Sequence, residues 1–317
     1  MKKAGPHGSP LTWMTASSFG FAVMAALVRL LSAQLGQYWL VLLRAGITAL
    51  VFLAVLLVLR RPLLPRKGMG LLVFRGLAGF GGIACLFYGA IHLPLAVATL
   101  LNWCSLLFVI VFSGVFLKER IPSGTAGWIG LSVLGLLLLV LPGMARDAQL
   151  GVHLPPFAVA IGLLGAIFSA MAMTAVRAAA LRFPPELIIF HFSAIAAGIA
   201  LPLALAEGSP AHAAGLIFSS PVRVAEVVLL GLSGSAAQYA MTRGYAVASA
   251  GLASALSLLT AAFSAILGWW FFDERLSAWQ WLGVLGLAAG VLGSSHSSGP
   301  RRAGITGSGL ARTPEIG

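Results

Sequence analysis

The sequence has very few charged residues. Only 9% of its 317 residues are charged and 59% are hydrophobic, whereas roughly a quarter of the residues in a soluble domain are charged. So little charge does not cover a surface that meets water on all sides. The composition excludes an ordinary soluble protein and indicates an integral membrane protein.

Among the charged residues, the acidic ones are the scarcer. There are eight, against twenty lysines and arginines, which gives a formal charge of +12. The basic residues lie in short segments between long apolar runs, where positive charge orients a membrane protein, so we expect no nucleic-acid partner. No carboxylate falls in the middle of an apolar run, and the commonest proton-coupling group of carriers is therefore missing.

Cysteine and catalytic motifs are also sparse. The two cysteines, Cys85 and Cys104, lie in apolar stretches without a C-x-x-C pair or a Cys/His cluster, so no disulfide, metal site or cofactor is predicted. Residues 231–234 match the short GxSG pattern of intramembrane serine proteases, but the related segment 76–79 has Ala78 where the serine stands. We expect no enzyme.

Ten apolar segments are long enough to cross a bilayer as helices, which takes about 20 residues each. The sequence thus predicts an all-α integral membrane protein with ten transmembrane helices. They are Leu11–Leu31, Tyr38–Leu59, Met69–Ile91, Pro94–Leu117, Gly124–Leu141, Pro156–Val176, Leu187–Ala206, Val227–Val247, Ala250–Phe272 and Trp279–Ser294.

The basic residues predict the orientation. With residues 1–10 in the cytoplasm, thirteen basic residues of the connecting segments and termini lie on the cytoplasmic side and three, Arg146, Arg223 and Arg275, on the other. Positive residues accumulate on the cytoplasmic side, so both termini, including a Gly/Ser-rich disordered tail at 297–317, are expected there. The expected location is the inner (plasma) membrane.

The two halves of the chain repeat each other. Residues 76–121 align without a gap to 231–276, ten of 46 positions are identical, and Glu119-Arg120 recurs as Glu274-Arg275. Upstream, Val28-Arg29 recurs as Val176-Arg177. The repeats, at 11–143 and 156–294, each contain five helices. Because five is odd, the second copy enters the membrane from the opposite side, as in the inverted repeats of secondary transporters.

The segment LPLAVATLLNWCSLLFVIVFSGVFLKERI and its counterpart ending FFDERLSAWQWLGVLGLAAGVLG resemble the EamA-type drug/metabolite transporters. The resemblance covers roughly residues 11 to 294. It implies ten helices, cytoplasmic termini, a central cavity and transport of amino acids, nucleobases, vitamins or related metabolites. Members often have a proline where this chain has Ser105-Leu106 and Thr260-Ala261, so the sequence gives no proline signal for a helix break in the fourth and ninth spans.

A polar stripe occurs in both copies. Residues three apart share one broad face of a helix, and polar groups in a bilayer need partners. The stripe is therefore expected to line a central cavity or, alternatively, to join helices by hydrogen bonds. Its members are Thr99, Asn102 and Ser105 in the fourth span and Ser254, Ser257 and Thr260 in the ninth.

Further candidate ligand residues are basic or aromatic. Arg44 lies about 9 Å into the second span at 1.5 Å per residue, where it binds an anionic group or fixes helix packing. The eighth span adds Gln238, Tyr239 and Arg243, and Tyr88 is the repeat equivalent of Arg243. Together they predict a cavity wall; alternatively, Arg243 extends to the nearby membrane surface.

Three other residues of the spans are candidates, and two of them have two interpretations each. His191 is proton-linked, since imidazole titrates near neutral pH, or packs in the interior. Trp103 stacks on a planar ligand or fills the core. Arg75 is expected to anchor its helix at the membrane surface.

The expected function is alternating-access transport of small, zwitterionic or partly anionic metabolites, with export as the default direction. The alternatives are an uptake permease for a vitamin or nucleoside-type compound, or a facilitative pore without coupling.

Overall fold

The structure is a computed structural model that describes residues 8–65, 67–92, 101–102, 104–118, 123–149, 155–271 and 277–297. Thr99, Trp103, the tail from 298 and most of the 1–10 segment lie outside these residues. The described chain is helical. Its helices are α1 Pro10–Ser32, α2 Gln37–Val58, α3 Met69–His92, α4 Ser105–Phe116, α5 Ser123–Gln149, α6 Pro156–Ala180, α7 Pro185–Glu207, α8 Pro210–Ile217, α9 Pro221–Val247, α10 Ala250–Ser257, α11 Leu259–Phe271 and α12 Ala278–Ser297.

Among the described residues, seven segments are long and apolar enough to cross a membrane and three more are apolar but shorter. The outward-facing side chains are apolar as well. Leu50 is 68% exposed, Val115 65% and Leu285 64%, which suits contact with lipid rather than water. The predicted all-α membrane architecture is confirmed.

The helices pair across the two halves. The most extensive contacts join α1 to α9, α3 to α6, α2 to α7 and α5 to α12. Since α1 corresponds to α6 and α3 to α9 in the repeat, the first two pairs are equivalent, and the other two pair a helix with its own counterpart. This is the pairing that a pseudo-two-fold axis between two copies produces.

Equivalent glycines bring equivalent helices together. A Cβ on Gly231 of α9 would collide with Ile47 of α2, and a Cβ on Gly76 of α3 would lie 2.5 Å from the Cδ1 of Ile195 on α7. Gly231 and Gly76 occupy the same repeat position, and so do Ile47 and Ile195. Small residues permit such close packing where no hydrophobic effect drives helices together. The repeat seen in the sequence is therefore also a repeat of tertiary contacts.

The ninth span is broken without a proline. Helix α10 ends at Ser257 and α11 begins at Leu259. The Ser257 hydroxyl donates to the Ser254 carbonyl at 2.6 Å, and the Leu258 N–H bonds instead to Ala255 O at 3.2 Å. A hydroxyl that bonds to the preceding turn competes with the helix ladder. At the corresponding place in the fourth span, Cys104 forms a turn whose N–H bonds to Leu101 O.

Candidate functional site

Arg44 projects from α2 towards the second half of the protein. It is half-buried, and its Nη2 donates to the Gln238 Oε1 on α9 at 3.4 Å. Its Nε is buried without a hydrogen-bond partner. A Cβ at Gly234 would lie 3.2 Å from that Nε, so the glycine provides the room that the guanidinium group occupies. Arg44 thus lies between the halves with part of its donor capacity unused.

Arg75 of α3 is more deeply buried. The residue is 2% exposed, and its Nε and Nη1 have no hydrogen-bond partner. A Cβ at Gly79 would collide with its Nη1. The expectation that Arg75 anchors its helix at the membrane surface is therefore wrong: the side chain extends along α3 into the interior, through space that Gly79 leaves open.

Both arginines face one aromatic ring. The guanidinium carbon of Arg75 lies 4.1 Å from the centroid of Phe192 on α7, and that of Arg44 lies 5.8 Å from it. The two positive charges are close enough to oppose each other. We call Arg44, Arg75, Phe192 and Gln238 the basic cluster.

Among the described side chains, no carboxylate neutralises the basic cluster. The described carboxylates lie at helix ends and have partners there: Glu186 with Arg61, Glu207 with the Tyr38 N–H and Glu226 with Arg223. A buried charge without a counter-charge costs several kcal/mol, and an aromatic face recovers about 2 kcal/mol or more when desolvated. The cluster is chemically suited to receive an anionic group.

Hydrogen bonds between α2 and α9 hold one side of the cluster in place. The Ser235 hydroxyl lies 2.9 Å from the Thr48 hydroxyl and 2.7 Å from the Gly231 carbonyl, and the Thr48 hydroxyl donates to the Arg44 carbonyl at 2.8 Å. Ser235 and Thr48 are buried. This chain fixes the turn of α2 that carries Arg44 relative to α9, which carries Gln238.

An aromatic wall follows the basic cluster along α9. The Tyr239 hydroxyl accepts from Arg243 Nε at 3.0 Å and from its Nη2 at 2.7 Å. The Tyr239 ring stacks on Phe52 at 6.3 Å between centroids and meets Trp13 edge-on at 6.2 Å. The Trp13 Nε1 is buried without a partner. Of these residues of α9, Gln238 contacts Arg44, whereas Tyr239 and Arg243 contact each other.

Tyr88 does not join that wall. Its ring meets Phe157 edge-on at 6.1 Å, in a separate cluster with Leu101 and Ala158. His191 is buried, and its Nδ1 lies 2.9 Å from the Leu187 carbonyl one turn earlier. This backbone contact is compatible with both interpretations of His191.

The polar stripes make mainly internal contacts in the ninth span. The Ser254 and Tyr245 hydroxyls share a buried hydrogen bond of 2.7 Å, and Ser257 bonds to the Ser254 carbonyl. Asn102, Ser105 and Thr260 are half-buried. Ser254 and Ser257 therefore use their hydroxyls in local contacts.

Arg75 and Phe192 were missed as site residues, although the sequence carries a signal for the site. Gly79 and Gly234, identical in the repeat, make the space for Arg75 and Arg44. At the offset of 148 residues that relates Arg29 to Arg177, Arg44 corresponds to Phe192. The glycine that both copies share, and the arginine that stands in one copy where the other has phenylalanine, together indicate the position of the site.

The chain is similar to known transporters along most of its length. The model of the EamA-like transporter family matches residues 8–141 and 156–295. The pseudopaline exporter of Pseudomonas aeruginosa strain UCBPP-PA14 is 33% identical over 281 residues, which cover 87% of this chain and 90% of that protein.

The similarity to more distant relatives also covers most of both chains. An uncharacterized transporter of Helicobacter pylori strain 26695 is 23% identical over 86% of this chain and 90% of its own. Mouse solute carrier family 35 member G1 is 23% identical over 93% and 80%. A solved crystal structure superposes with a TM-score of 0.75 at 18% identity over 94% of this chain and 99% of its own, which shows the shared fold. With both repeats matched, the chain belongs to the EamA-like transporter family and is a multi-pass membrane transporter of small molecules.

Proposed function

We propose that this transporter exports small metabolites by alternating access, with the ligand held between the two repeats. The observation that carries the proposal is the bond of 3.4 Å between Arg44 of the first half and Gln238 of the second. A ligand bound there contacts both halves, so movement of one half against the other changes its access to each side. In inverted-repeat carriers the ligand site lies at this kind of interface.

The proposed site includes the basic cluster and the wall of Tyr239 and Arg243. The predicted stripes complete it, with Asn102 as the principal residue because an amide both donates and accepts hydrogen bonds. The remaining stripe residues of the proposed site are Thr99, Ser105, Ser254, Ser257 and Thr260. Tyr88, Trp103 and a proton-linked His191 stay predictions.

Export is proposed because the relative at 33% identity is named as an exporter, of pseudopaline. The related compound class for this chain is small metabolites of the amino-acid, nucleobase or vitamin type. Uptake of a vitamin or nucleoside-type compound and a non-coupled pore are the alternatives. The domain limits 11–143 and 156–294 and the inner-membrane location with cytoplasmic termini also belong to this proposal.

Flux into proteoliposomes tests the function. A metabolite panel should contain at least one compound whose flux saturates and is accelerated by unlabelled compound on the far side. No saturable flux for any compound counts against a carrier, and flux that rises linearly with concentration favours the pore.

Asn102→Ala should lower this flux severalfold at unchanged protein abundance, because the bilayer interior offers no replacement for the amide. Gln34→Ala is the matched control, since Gln34 bears the same group at the exposed end of α1 near Arg223. Equal losses in both variants, or loss of abundance in Asn102→Ala, would assign Asn102 to packing.

The orientation is tested by cysteine labelling in a background without Cys85 and Cys104. Lys118→Cys should react from the cytoplasmic side and Asp273→Cys from the opposite side. Labelling of both from one side would contradict the inverted arrangement.

A further inference from the structure

The basic cluster has a net charge of two, and only neutral described groups surround it. Arg75 is 2% exposed, and three of the buried nitrogens in the cluster have no partner: Arg44 Nε, Arg75 Nε and Arg75 Nη1. Buried guanidinium groups are normally paired, because an unpaired buried charge is costly. These nitrogens are therefore donors in excess of the acceptors that the described protein supplies.

Packing does not explain the pair. A single arginine stacked on Phe192 gains a cation–π contact, and Arg75 at 4.1 Å makes one. A second cation at 5.8 Å from the same ring gains little and is repelled by the first. Two arginines that only filled space would not converge on one ring.

The donors of the basic cluster belong to both halves of the protein. Gly79 and Gly234 provide the room that the two guanidinium groups themselves occupy, and Gln238 offers its amide oxygen to Arg44 and carries amide N–H donors as well. The donors come from α2 and α3 of the first half and from α9 of the second. An anion that accepts from them bridges both halves.

We propose that the basic cluster binds a metabolite that carries two negative charges, on two carboxylates or on one phosphate group. Two guanidinium groups match two charges, and arginine donates to both carboxylates and phosphates through paired N–H groups. A neutral or cationic metabolite leaves the cluster uncompensated. This inference rests on the proposed function only for the claim that the bound anion is the transported compound.

Binding to the purified protein tests the inference without transport. Thermal unfolding is followed in detergent with succinate, inorganic phosphate and the neutral analogue succinamide, at ionic strength matched with potassium chloride. Succinate or phosphate should raise the unfolding temperature in a saturable manner, and the one that does so identifies the charged group. Succinamide should have no effect. If neither anion exceeds chloride, or if succinamide acts equally well, the inference is overturned.

Variants assign the effect to the cluster. Arg75→Gln should weaken the anion effect by about 10- to 100-fold, the range for hydrogen bonds to charged groups. It should also raise the unfolding temperature without ligand, since it removes an uncompensated charge. If Arg75 were merely structural, Arg75→Gln would lower the unfolding temperature without ligand. Arg61→Gln is the control, because Arg61 is 45% exposed and pairs with Glu186 at the surface; it should leave the anion effect unchanged.

If Arg75→Gln does not yield folded protein, the contrast between succinate and succinamide in the unmodified protein decides. Anion binding without flux would support the inference and refute the proposed transport. Saturable flux of neutral metabolites without anion binding would support transport and refute the inference.

Discussion

Gln238→Glu introduces a carboxylate beside a buried arginine that has only a neutral acceptor. The replaced oxygen lies 3.4 Å from Arg44 Nη2. Two unit charges at that separation attract each other by about 5 kcal/mol at an effective dielectric constant of about 20. Desolvation of the new carboxylate offsets several kcal/mol, and we expect a net stabilisation of about 1–2 kcal/mol.

The measurement is the unfolding temperature of the purified protein with and without succinate. At about 2–4 °C per kcal/mol for a chain of a few hundred residues, Gln238→Glu should raise it by a few degrees. The built-in carboxylate also occupies the donors that an anion would use, so succinate should lose most of its protective effect. Stability and ligand response thus change in opposite directions.

Gln34→Glu is the matched control. Gln34 accepts from Arg223 in an exposed contact at the C-terminal end of α1, where a charge pair contributes about 0–1 kcal/mol. It should leave both the unfolding temperature and the succinate response nearly unchanged. The reasoning is refuted if Gln238→Glu lowers the unfolding temperature while succinate still protects, because Arg44 would then not lack a counter-charge.

Two further substitutions test the scaffold. Gly231→Ala should lower the unfolding temperature by several degrees, since overpacking against Ile47 costs about 1–3 kcal/mol. The control is Gly46→Ala, which should be neutral or stabilising because no atom lies within 4 Å of the added Cβ. Equal effects of the two substitutions would contradict the close α2–α9 crossing. Ser257→Ala removes the hydroxyl that bonds to the Ser254 carbonyl and should let the ninth span become more continuous, measured as stronger amide hydrogen-exchange protection around 257–259 with slower flux. Unchanged exchange would show that the hydroxyl does not cause the break.

The spans and the repeat were predictable from sequence because each has a strong local signal. A run of about 20 apolar residues fixes a membrane helix by length alone. The shared Gly231 and Gly76 fix the register of the two copies, and the structure gives both the same role against an isoleucine. Contacts that depend on backbone approach repeat with the sequence.

The face that each helix turns towards the protein interior was less predictable. In a soluble protein the polar face of a helix marks the outside, but lipid tails are as apolar as leucine. The position of Arg75 along α3 therefore indicated only its depth, and its burial against Phe192 depends on the rotation of α3. Arg44 was found because its depth alone was unusual. The break at Leu258 was not predicted because the segment has no proline, and a serine hydroxyl that bonds to the preceding turn is a weaker signal in a sequence.

The halves repeat their packing but not their charges. The glycine contacts are symmetric, whereas Arg44 corresponds to Phe192 and Arg75 to Leu230. Both guanidinium groups therefore come from the first half, and the ring and the amide that face them come from the second. Relative motion of the halves changes the distances between these groups. A ligand shifts the equilibrium between two conformations only if it binds one of them more tightly than the other. An anion held by both halves meets this condition, because movement of the halves changes its contacts to Gln238 relative to its contacts to the arginines.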